Sequence, residues 1–361
     1  MRLLWAEIAE FRNHPQTSLH LPPGLVAAVG PNAQGKTNLL EALHYLLALS
    51  SPRVGADEPL VRRGAARAYL RGEVETATGR VLVEVEVRPS GANRVQINRS
   101  GVRRKRDLRQ RVRAVMSIPE DLAVVQGEPE ERRRFLDQAV QSLWPVEEAP
   151  RREYDRALRQ RNRLLKEHDG AGAPPGLEAW DAELVRHGTA VTVARRRAVD
   201  AAGPRADAAF AAVAGERLRI AYRPSVEGGD APEVAERFRR RLEERRGDEL
   251  VRRSTLVGPH RDDLELAVEE LAARRFASHG ESWAAALCLR LGQAEAVAAE
   301  IGEPPVLLLD DPFSGLDPGR RRRLGRVLEG RGQVVLAVPE EAHVPAGAEV
   351  WEVEEGRVRP R

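Results

Sequence analysis

The sequence predicts an α/β fold in two halves, separated by a mainly helical insert. Short apolar runs of strand length, bounded by turn residues, alternate with helical patterns in the first and last thirds of the chain. The middle third contains long segments rich in Arg and Glu instead. We therefore predict a head formed by residues 1–118 and 250–361, with an inserted helical domain over residues 119–249.

The first third predicts strands and turns around one helix. The apolar run at residues 25–29 suits a buried strand, and residues 38–49 place leucines along one side of a helix. The other strands alternate apolar and polar residues and are separated by turn residues, which predicts an antiparallel β subdomain. These strands are expected at residues 3–10, 17–21, 68–75, 80–87 and 94–97.

The rest of the chain is predicted to be helical to about residue 246 and then α/β again. Gly and Pro residues indicate a loop at 170–176, and the lack of sustained heptads argues against a long coiled coil. A buried strand at 306–309, a helix at 320–328 and a strand at 333–338 complete the predicted head.

Composition favours a cytoplasmic protein that crosses no membrane. Apolar residues make up 42% of the 361 residues, but no run approaches the roughly 18 apolar residues of a membrane helix. The first residues lack the charged-then-apolar pattern of a signal peptide. Cys288 is the only cysteine, so an internal disulfide cannot form.

Residues 30–37, GPNAQGKT, match the P-loop pattern G-x-x-x-x-G-K-[ST]. A predicted strand precedes the motif and a helix follows, so backbone N–H groups and the helix N-terminus can attract phosphate together. Lys36 would reach the β- and γ-phosphates of ATP, and Thr37 would hold Mg²⁺. The alternative is a chance glycine-rich turn. The residues expected at the nucleotide are Gly30, Asn32, Gln34, Gly35, Lys36, Thr37 and Asn38.

A second motif is an apolar strand that ends in two carboxylates, Asp310 and Asp311. In a P-loop ATPase, Asp310 would lie on the metal side of the site, and Asp311 would polarise the attacking water. A solvated strand end is the alternative for such a pair alone. Its position downstream of a P-loop favours a metal role for Asp310 and a catalytic role for Asp311.

Two further motifs lie on either side of the acidic pair. Ser278, Gly280 and Glu281 begin a helix, where they suit an ordinary N-cap or a second anion site made with the helix N-terminus. Ser314 and Asp317 follow the acidic pair closely. They suit either a simple turn or a short loop at a dimer interface.

Basic residues occur in runs, although the formal net charge is only +3. Arg103, Arg104, Lys105 and Arg106 form one run in a predicted loop, and a longer basic stretch covers residues 151–166. Each run alone is more often a solvated helix face. Together they indicate a polyanionic partner, with residues 103–106 as the first candidates for contact.

With these four motifs in this order, the chain resembles the ABC-type ATPase heads of the SMC and Rad50 group. Other stretches narrow the resemblance to the RecF family of bacterial recombination-repair ATPases, and it extends over nearly the whole chain. These stretches are FRNH at 11–14, QGKTNLLEA at 34–42, PEDL at 119–122, RRRFLD at 132–137 and TLVGPHRDDL at 255–264.

The resemblance implies an ATP-dependent homodimer that clamps DNA at gaps and at junctions between single and double strands. It implies a weak, DNA-stimulated ATPase that uses ATP and Mg²⁺, and in which slow hydrolysis resets the clamp. Ser278 and Gly280 would face the γ-phosphate held by the partner copy, with Ser314 and Asp317 at the interface. RecO and RecR are the implied protein partners, and loading of the RecA recombinase is the implied outcome.

Three positions depart from the family pattern. The signature reads SHGE from Ser278 onwards, where the family usually has Ser-Gln-Gly-Gln. Residues 336–339, after the final strand, contain neither the Thr usual in the family nor the His of many ABC proteins. The glutamine that contacts Mg²⁺ between the two halves has no clear counterpart. Gln126 is a candidate, and a surface position is the alternative for it.

Two other classes of protein are weaker alternatives. The motor subunit of an ABC transporter would have a shorter head and a helical segment shaped to dock on membrane helices, whereas this insert is long and basic. A structural tether of the SMC type would need long heptad runs, which the sequence lacks.

Overall fold

The computed structural model describes residues 1–170 and 172–361, so residue 171 of the loop predicted at 170–176 lies outside the described part. Two six-stranded sheets and one three-stranded sheet carry helices on their faces. The strands are β1 (Arg2–Phe11), β2 (His14–His20), β3 (Leu25–Val29), β4 (Ala68–Thr76), β5 (Gly79–Val87), β6 (Arg94–Ile97), β7 (Ser100–Val102), β8 (Ala114–Ser117), β9 (Leu218–Arg223), β10 (Asp263–Val268), β11 (Leu271–Ala272), β12 (Val306–Asp310), β13 (Val334–Val338), β14 (Glu349–Glu354) and β15 (Arg357–Pro360). The helices are α1 (Lys36–Ala48), α2 (Lys105–Arg109), α3 (Leu122–Gln126), α4 (Pro129–Leu143), α5 (Glu148–Glu167), α6 (Leu177–Ala214), α7 (Ala231–Glu244), α8 (Arg246–Arg252), α9 (Ala273–Phe276), α10 (His279–Ile301) and α11 (Pro318–Leu328).

The first six-stranded sheet is the antiparallel β subdomain that the alternating sequence predicts. Its order is β2-β1-β4-β5-β6-β7, and all neighbouring strands are antiparallel. In β4 every second side chain is buried, which places its apolar residues on one face. That face shares a hydrophobic core with α1, in which Leu70 and Val83 of the sheet join Leu43 of the helix.

The second six-stranded sheet positions the functional motifs. Its order is β15-β14-β3-β13-β12-β8, and the pairs from β14 through β8 are all parallel. β12 and β13 are buried along their whole length, which explains their uninterrupted apolar sequences. Because parallel strands end at the same edge of a sheet, the loops after β3, β8, β12 and β13 meet there.

Two hydrophobic cores cover the faces of this parallel sheet. Along β12, Val306 and Leu308 belong to the core that contains α1, whereas Leu307 and Leu309 belong to the core that contains α10. Phe210, near the end of α6, also lies in the second core. Since the predicted insert and head share this core, the boundaries at 118/119 and 249/250 remain a proposal.

The region predicted as a helical insert contains α3 to α8, but it also contains a strand. β9 pairs antiparallel with β10 in the three-stranded sheet β11-β10-β9. Its sequence, LRIAYR, is short and half polar. It therefore resembles the surrounding Arg-rich helical segments, and the sequence did not predict a strand here. Among the described residues, no helix combines the length and apolar character that crossing a membrane requires.

Candidate nucleotide site

The P-loop connects β3 to α1 at the edge where the parallel strands end. Gly35, at the N-cap of α1, has a φ of 114°, a backbone conformation that side chains with a Cβ rarely adopt. A Cβ there would also lie 2.6 Å from Nδ2 of Asn13. Glycine is therefore required for both backbone and space. Asn32, another predicted loop residue, is exposed to solvent.

The turn between β1 and β2 forms hydrogen bonds and an ion pair with the P-loop and α1. Asn13 Nδ2 donates to the carbonyl oxygen of Gln34 at 3.1 Å, and Asn13 Oδ1 accepts from Asn38 Nδ2 at 2.9 Å. Arg12 forms a two-point ion pair with Glu41 of α1, at 2.8 and 2.9 Å. The predicted nucleotide residues Gln34 and Asn38 are thus fixed by this turn.

His14 and the β14–β15 turn also form hydrogen bonds that support the P-loop. The His14 side chain is fully buried, with Nε2 3.0 Å from the Gly35 oxygen and Nδ1 2.8 Å from the Gly356 oxygen. Burial lowers the pKa of His14 below its ordinary value. Gln34 Oε1 accepts from the backbone N–H of Glu355 at 2.8 Å. Two turns that are distant in sequence therefore fix the conformation of the loop.

Lys36 and Thr37 lie at the start of α1, as the motif predicts. Lys36 Nζ donates to the carbonyl oxygens of Gly30 and Pro31, at 2.7 and 2.8 Å, so the loop encloses the ammonium group. Burial lowers the pKa of Lys36, and the nearby acidic pair raises it in part. Thr37 Oγ1 donates to Oδ2 of Asp310 at 2.7 Å. The P-loop and the end of β12 are therefore in direct contact.

Asp310 has oxygen-bearing neighbours of the kind that Mg²⁺ prefers. Burial, together with the charges of Asp311 and Glu120, raises the pKa of Asp310 to about 6. Glu120 follows β8, which pairs with β12, and sequence patterns alone did not single it out. Gln126, the sequence candidate for a metal contact, lies exposed at the end of α3. Asp310, Thr37 and Glu120 therefore fit a magnesium ion better than Gln126 does.

Asp311 carries an unsatisfied oxygen at the same edge. Its Oδ1 is buried and has no hydrogen-bond partner among the described residues. Burial raises the pKa of Asp311, while the neighbouring His343, Lys36 and Arg321 lower it in part. Arg321 Nη1 donates to Nε2 of His343 at 2.6 Å. A histidine that follows residues 336–339 is therefore held by Arg321 in the neighbourhood of Asp311.

Ser278 begins α10 as an N-cap, and Glu281 completes a capping box. Ser278 Oγ accepts from the Glu281 N–H at 3.3 Å, and the Ser278 N–H donates to Glu281 Oε2 at 2.7 Å. Ser278 therefore acts as an ordinary N-cap of α10, which is one of the two interpretations of this motif. Gly280 faces the next motif, since a Cβ there would lie 3.0 Å from the Gly315 oxygen and 3.2 Å from Arg320 Nη1.

The predicted interface loop lies between β12 and α11. The Ser314 N–H donates to the carbonyl oxygen of Asp311 at 3.2 Å. Asp317 is the N-cap of α11 and accepts from two backbone N–H groups, at 2.8 and 3.0 Å. Within the described part of the chain, no hydrogen bond joins residues 30–38 to α10. The signature and the interface loop therefore pack with each other and not onto the P-loop.

Comparison with known proteins identifies the family. Residues 25–337 match the family model described as "AAA domain, putative AbiEii toxin, Type IV TA system", so the chain falls within that wide group. It is similar to the DNA replication and repair protein RecF of Frankia alni, with 43% identity over 362 residues, 96% of this chain and 95% of the relative. The chain belongs to the RecF family.

Solved structures confirm the fold expected of the RecF family. One described as "Structure of the recombination mediator protein RecF-ATPrS in RecFOR pathway" has a TM-score of 0.90 at 28% identity, covering 99% of this chain and 98% of that one. The Smc head of Pyrococcus yayanosii, at 14% identity, has a TM-score of 0.59 and covers 100% and 96%; this likeness concerns the fold alone. The predicted P-loop ABC-type head and the resemblance to the RecF family are both confirmed. The chain is accordingly an ATP-binding protein of the P-loop ATPase class.

The first basic run of this RecF-family chain lies at the edge of the antiparallel sheet. The prediction of a loop is partly wrong, because Arg104 is the N-cap of α2, and Lys105 and Arg106 are its first residues. The four cations at 103–106 form no salt bridge within the described part of the chain. Exposed cations on this edge are Arg94, Arg99, Arg103, Arg104 and Lys105. The edge therefore presents positive charge to solvent.

The other basic runs are largely used in ion pairs. In α5, Arg151 pairs with Asp137 at 2.8 Å, and the fully buried Arg161 pairs with Glu249 at 2.6 Å. Arginines of three shorter basic runs, at 132–134, 195–197 and 320–323, are also paired; they are Arg132, Arg134, Arg195, Arg197 and Arg320. Much of the positive charge read from the sequence is therefore structural.

Proposed function

We propose that ATP binding joins two copies of the chain head to head, and that the closed dimer clamps DNA. The observation that supports this is the division of anion-binding elements within one chain. The P-loop contacts the end of β12, whereas Gly280 packs against Gly315, in the loop that carries Ser314 and Asp317. Each P-loop then needs the signature surface of a second copy to enclose the γ-phosphate.

Within this dimer, each residue of the nucleotide site has a distinct proposed role. Lys36 neutralises phosphate charge, and Asp311 accepts a proton from the attacking water. Thr37 and Asp310, with Glu120 beside them, would hold Mg²⁺, which offsets the negative charge of the phosphates. Phosphate oxygens of the bound nucleotide would complete the coordination of the metal.

Family membership supports the proposed partners and cellular role. A RecF structure is described as that of a recombination mediator in the RecFOR pathway. We extend this to the present chain: gapped or junction DNA is its substrate, RecO and RecR are its protein partners, and loading of a recombinase is the outcome. Slow, DNA-stimulated ATP hydrolysis resets the clamp, and the cytoplasm is the proposed location.

A gel-shift experiment tests the clamp directly. Gapped, duplex and single-stranded DNA of equal length are compared with ATP, with ADP and without nucleotide, at one salt concentration. ATP should tighten binding to the gapped and duplex substrates, and ADP should not, because only ATP supplies a γ-phosphate to the second copy. Equal binding under all three nucleotide conditions would exclude an ATP-driven clamp.

Ser278→Arg is expected to block dimerisation without loss of ATP binding. The arginine would occupy the space of the partner's γ-phosphate, while the P-loop of its own chain is unaffected. Sedimentation with and without ATP measures the dimer, and calorimetry measures ATP affinity. Ser278→Ala is the matched control, since it loses the same N-cap, about 1 kcal/mol of helix stability, but adds no bulk. If Ser278→Arg dimerises as well as Ser278→Ala, Ser278 is only a helix cap.

Neutralising the basic edge should reduce the salt dependence of DNA binding. Replacing Arg103, Arg104, Lys105 and Arg106 with Gln removes contacts to phosphate, and each lost contact should lower the log–log salt slope by about 0.9 on duplex DNA. The parent chain should have a steeper slope with ATP than without, because a closed dimer presents both copies of the run. Sequence should have little effect on affinity, since phosphate contacts carry no base information.

A second set of four arginines provides the control for charge alone. Residues 237 and 239–241 lie on α7, and three of these four arginines pair with glutamates on the same helix. Their replacement by Gln changes net charge equally and should leave the slope unchanged. If the variant at 103–106 also keeps the parental slope, that edge does not contact DNA, and the stretch at 151–166 becomes the next candidate.

A further inference from the structure

A cavity of about 160 Å³ lies at the end of α1 that is remote from the P-loop. It is lined by residues from the last turns of α1, the start of β8, α4 and α10. Its volume is more than ten times the roughly 10–15 Å³ that one water requires. A tetrahedral oxyanion therefore fits inside it, and the nucleotide site makes no use of it.

The charged side chains that line the cavity are cations. Arg109, Arg113 and Arg290 are exposed by 6 to 7% only, and no Asp or Glu is among the described lining residues. Arg109 pairs with Glu148 at 3.0 Å, and Arg290 donates to both carboxylate oxygens of Asp121 through Nε and Nη2. These two arginines thus have carboxylate partners outside the lining. Among the three arginines, Arg113 differs because it has no such partner among the described residues.

Arg113 lacks an anionic partner at hydrogen-bonding distance. Its Nε is buried with no partner among the described residues, and its Nη1 donates to the Val112 oxygen at a long 3.4 Å. Burial lowers the pKa of Arg113 to about 10, and the more distant charge of Glu300 opposes this only in part. A buried guanidinium in this state is unfavourable unless an anion satisfies it.

Neutral polar groups complete the lining. Gln138 and Gln141 of α4 are half-buried there, and Gln138 Oε1 accepts from Arg290 at 2.8 Å, which leaves the Gln138 amide N–H groups as donors. His44 also lines the cavity, and burial, aided by the charges of Arg109 and Arg290, lowers its pKa to about 4. The lining therefore combines amide donors with a field that favours negative charge.

We propose that this cavity binds a phosphate-class oxyanion, either inorganic phosphate or the end of a phosphomonoester, with Arg113 as its principal ligand. The anion would give the guanidinium the charge-assisted hydrogen bonds that it lacks. Residues of α1 and α10 line the cavity, so such an anion would lie between the helices that begin at the P-loop and at Ser278. The site is separate from the nucleotide site and does not depend on dimerisation.

Calorimetric titration with inorganic phosphate tests the proposal. The full chain is first saturated with Mg²⁺ and a non-hydrolysable ATP analogue, so that phosphate cannot enter the P-loop, and chloride holds the ionic strength constant. We expect one phosphate per chain. Arg113→Met should weaken binding by about tenfold or more, as expected for loss of hydrogen bonds to a charged group. Arg239→Met, which removes an exposed arginine of α7, is the control and should bind phosphate normally.

A second variant keeps the test decisive if Arg113→Met folds poorly. Gln141→Leu removes a half-buried amide and should weaken phosphate binding by about threefold or more. Methyl phosphate, titrated separately, should bind if a phosphomonoester end is the ligand and fail to bind if only free phosphate enters. Lack of phosphate binding by the parent chain, or parental affinity in every folded variant of the lining, would overturn the proposal.

Discussion

Replacing Lys36 with Ala should abolish ATP binding and, with it, every ATP-dependent step. The ammonium is enclosed by the P-loop carbonyl oxygens and is the cation that the motif directs at the phosphates. Hydrogen bonds to charged groups contribute about 1.5–3 kcal/mol each, so loss of contacts to two phosphates should weaken ATP by at least about 100-fold. Calorimetry with MgATP measures the affinity, and sedimentation should then show no dimer.

Two controls separate the lost charge from damage to the loop. Lys36 is buried, and its ammonium group also satisfies the oxygens of Gly30 and Pro31, so its removal can loosen the P-loop itself. Lys36→Met keeps most of the side-chain volume, and thermal unfolding of both variants shows whether the fold survives. Lys166→Ala removes an exposed lysine and should bind ATP normally. Parental ATP affinity in folded Lys36→Met would refute the P-loop assignment.

The parts of this site that sequence predicts well are local in the chain. The P-loop and the acidic end of β12 each combine an apolar strand with a short motif, and an uninterrupted apolar run indicates a buried strand wherever it occurs. The pairing of Thr37 with Asp310 joins positions 273 residues apart, yet it follows from two parallel strands that end at one edge. Local pattern and sheet topology together were therefore sufficient to place these residues at one edge; their roles stay predictions.

Other parts depend on distant contacts that no local pattern reveals. His14 reaches the Gly356 oxygen across 342 residues, and the interaction explains FRNH only after the chain is folded. His343 lies beyond residues 336–339, the segment in which the family pattern predicts a Thr or His. The fold nevertheless brings it into the neighbourhood of Asp311. Glu120 similarly influences the charge of Asp310, because β8, which precedes Glu120, pairs with β12. In each case the tertiary fold, and not the spacing, selects the residue.

Charge was the least predictable property for the same reason. Arg161 belongs to a basic stretch that reads as a solvated face or a DNA contact, yet it is fully buried between acidic partners. Arg132 pairs with Asp263, 131 residues away, at 2.6 Å. A run of arginines therefore indicates a binding surface only after the carboxylates that the fold brings to it have been counted.

Asp311→Asn should stop ATP hydrolysis and leave ATP binding intact. Asn has the same shape, but it cannot accept the proton of the attacking water, and general-base catalysis contributes about 100- to 10,000-fold to rates. The backbone favours this substitution over Ala, because Asp311 has a φ of 48°, a conformation that Asn tolerates well and Ala does not. The Asp311 N–H also donates to the Ala337 oxygen at 2.8 Å, a contact that any side chain here would preserve.

The ATP-bound dimer should therefore accumulate in Asp311→Asn, since binding proceeds while turnover falls by at least about 100-fold. Phosphate release measures turnover, and sedimentation with ATP measures the dimer. Asp310→Asn is the matched control: it weakens the metal side of the site through its bond to Thr37, so MgATP affinity itself should fall. Loss of turnover in Asp311→Asn and loss of MgATP affinity in Asp310→Asn would separate the catalytic role from the metal-binding role. Turnover at the parental rate in Asp311→Asn would instead assign proton transfer to another group at this edge, and its neighbour His343 would be the first to replace.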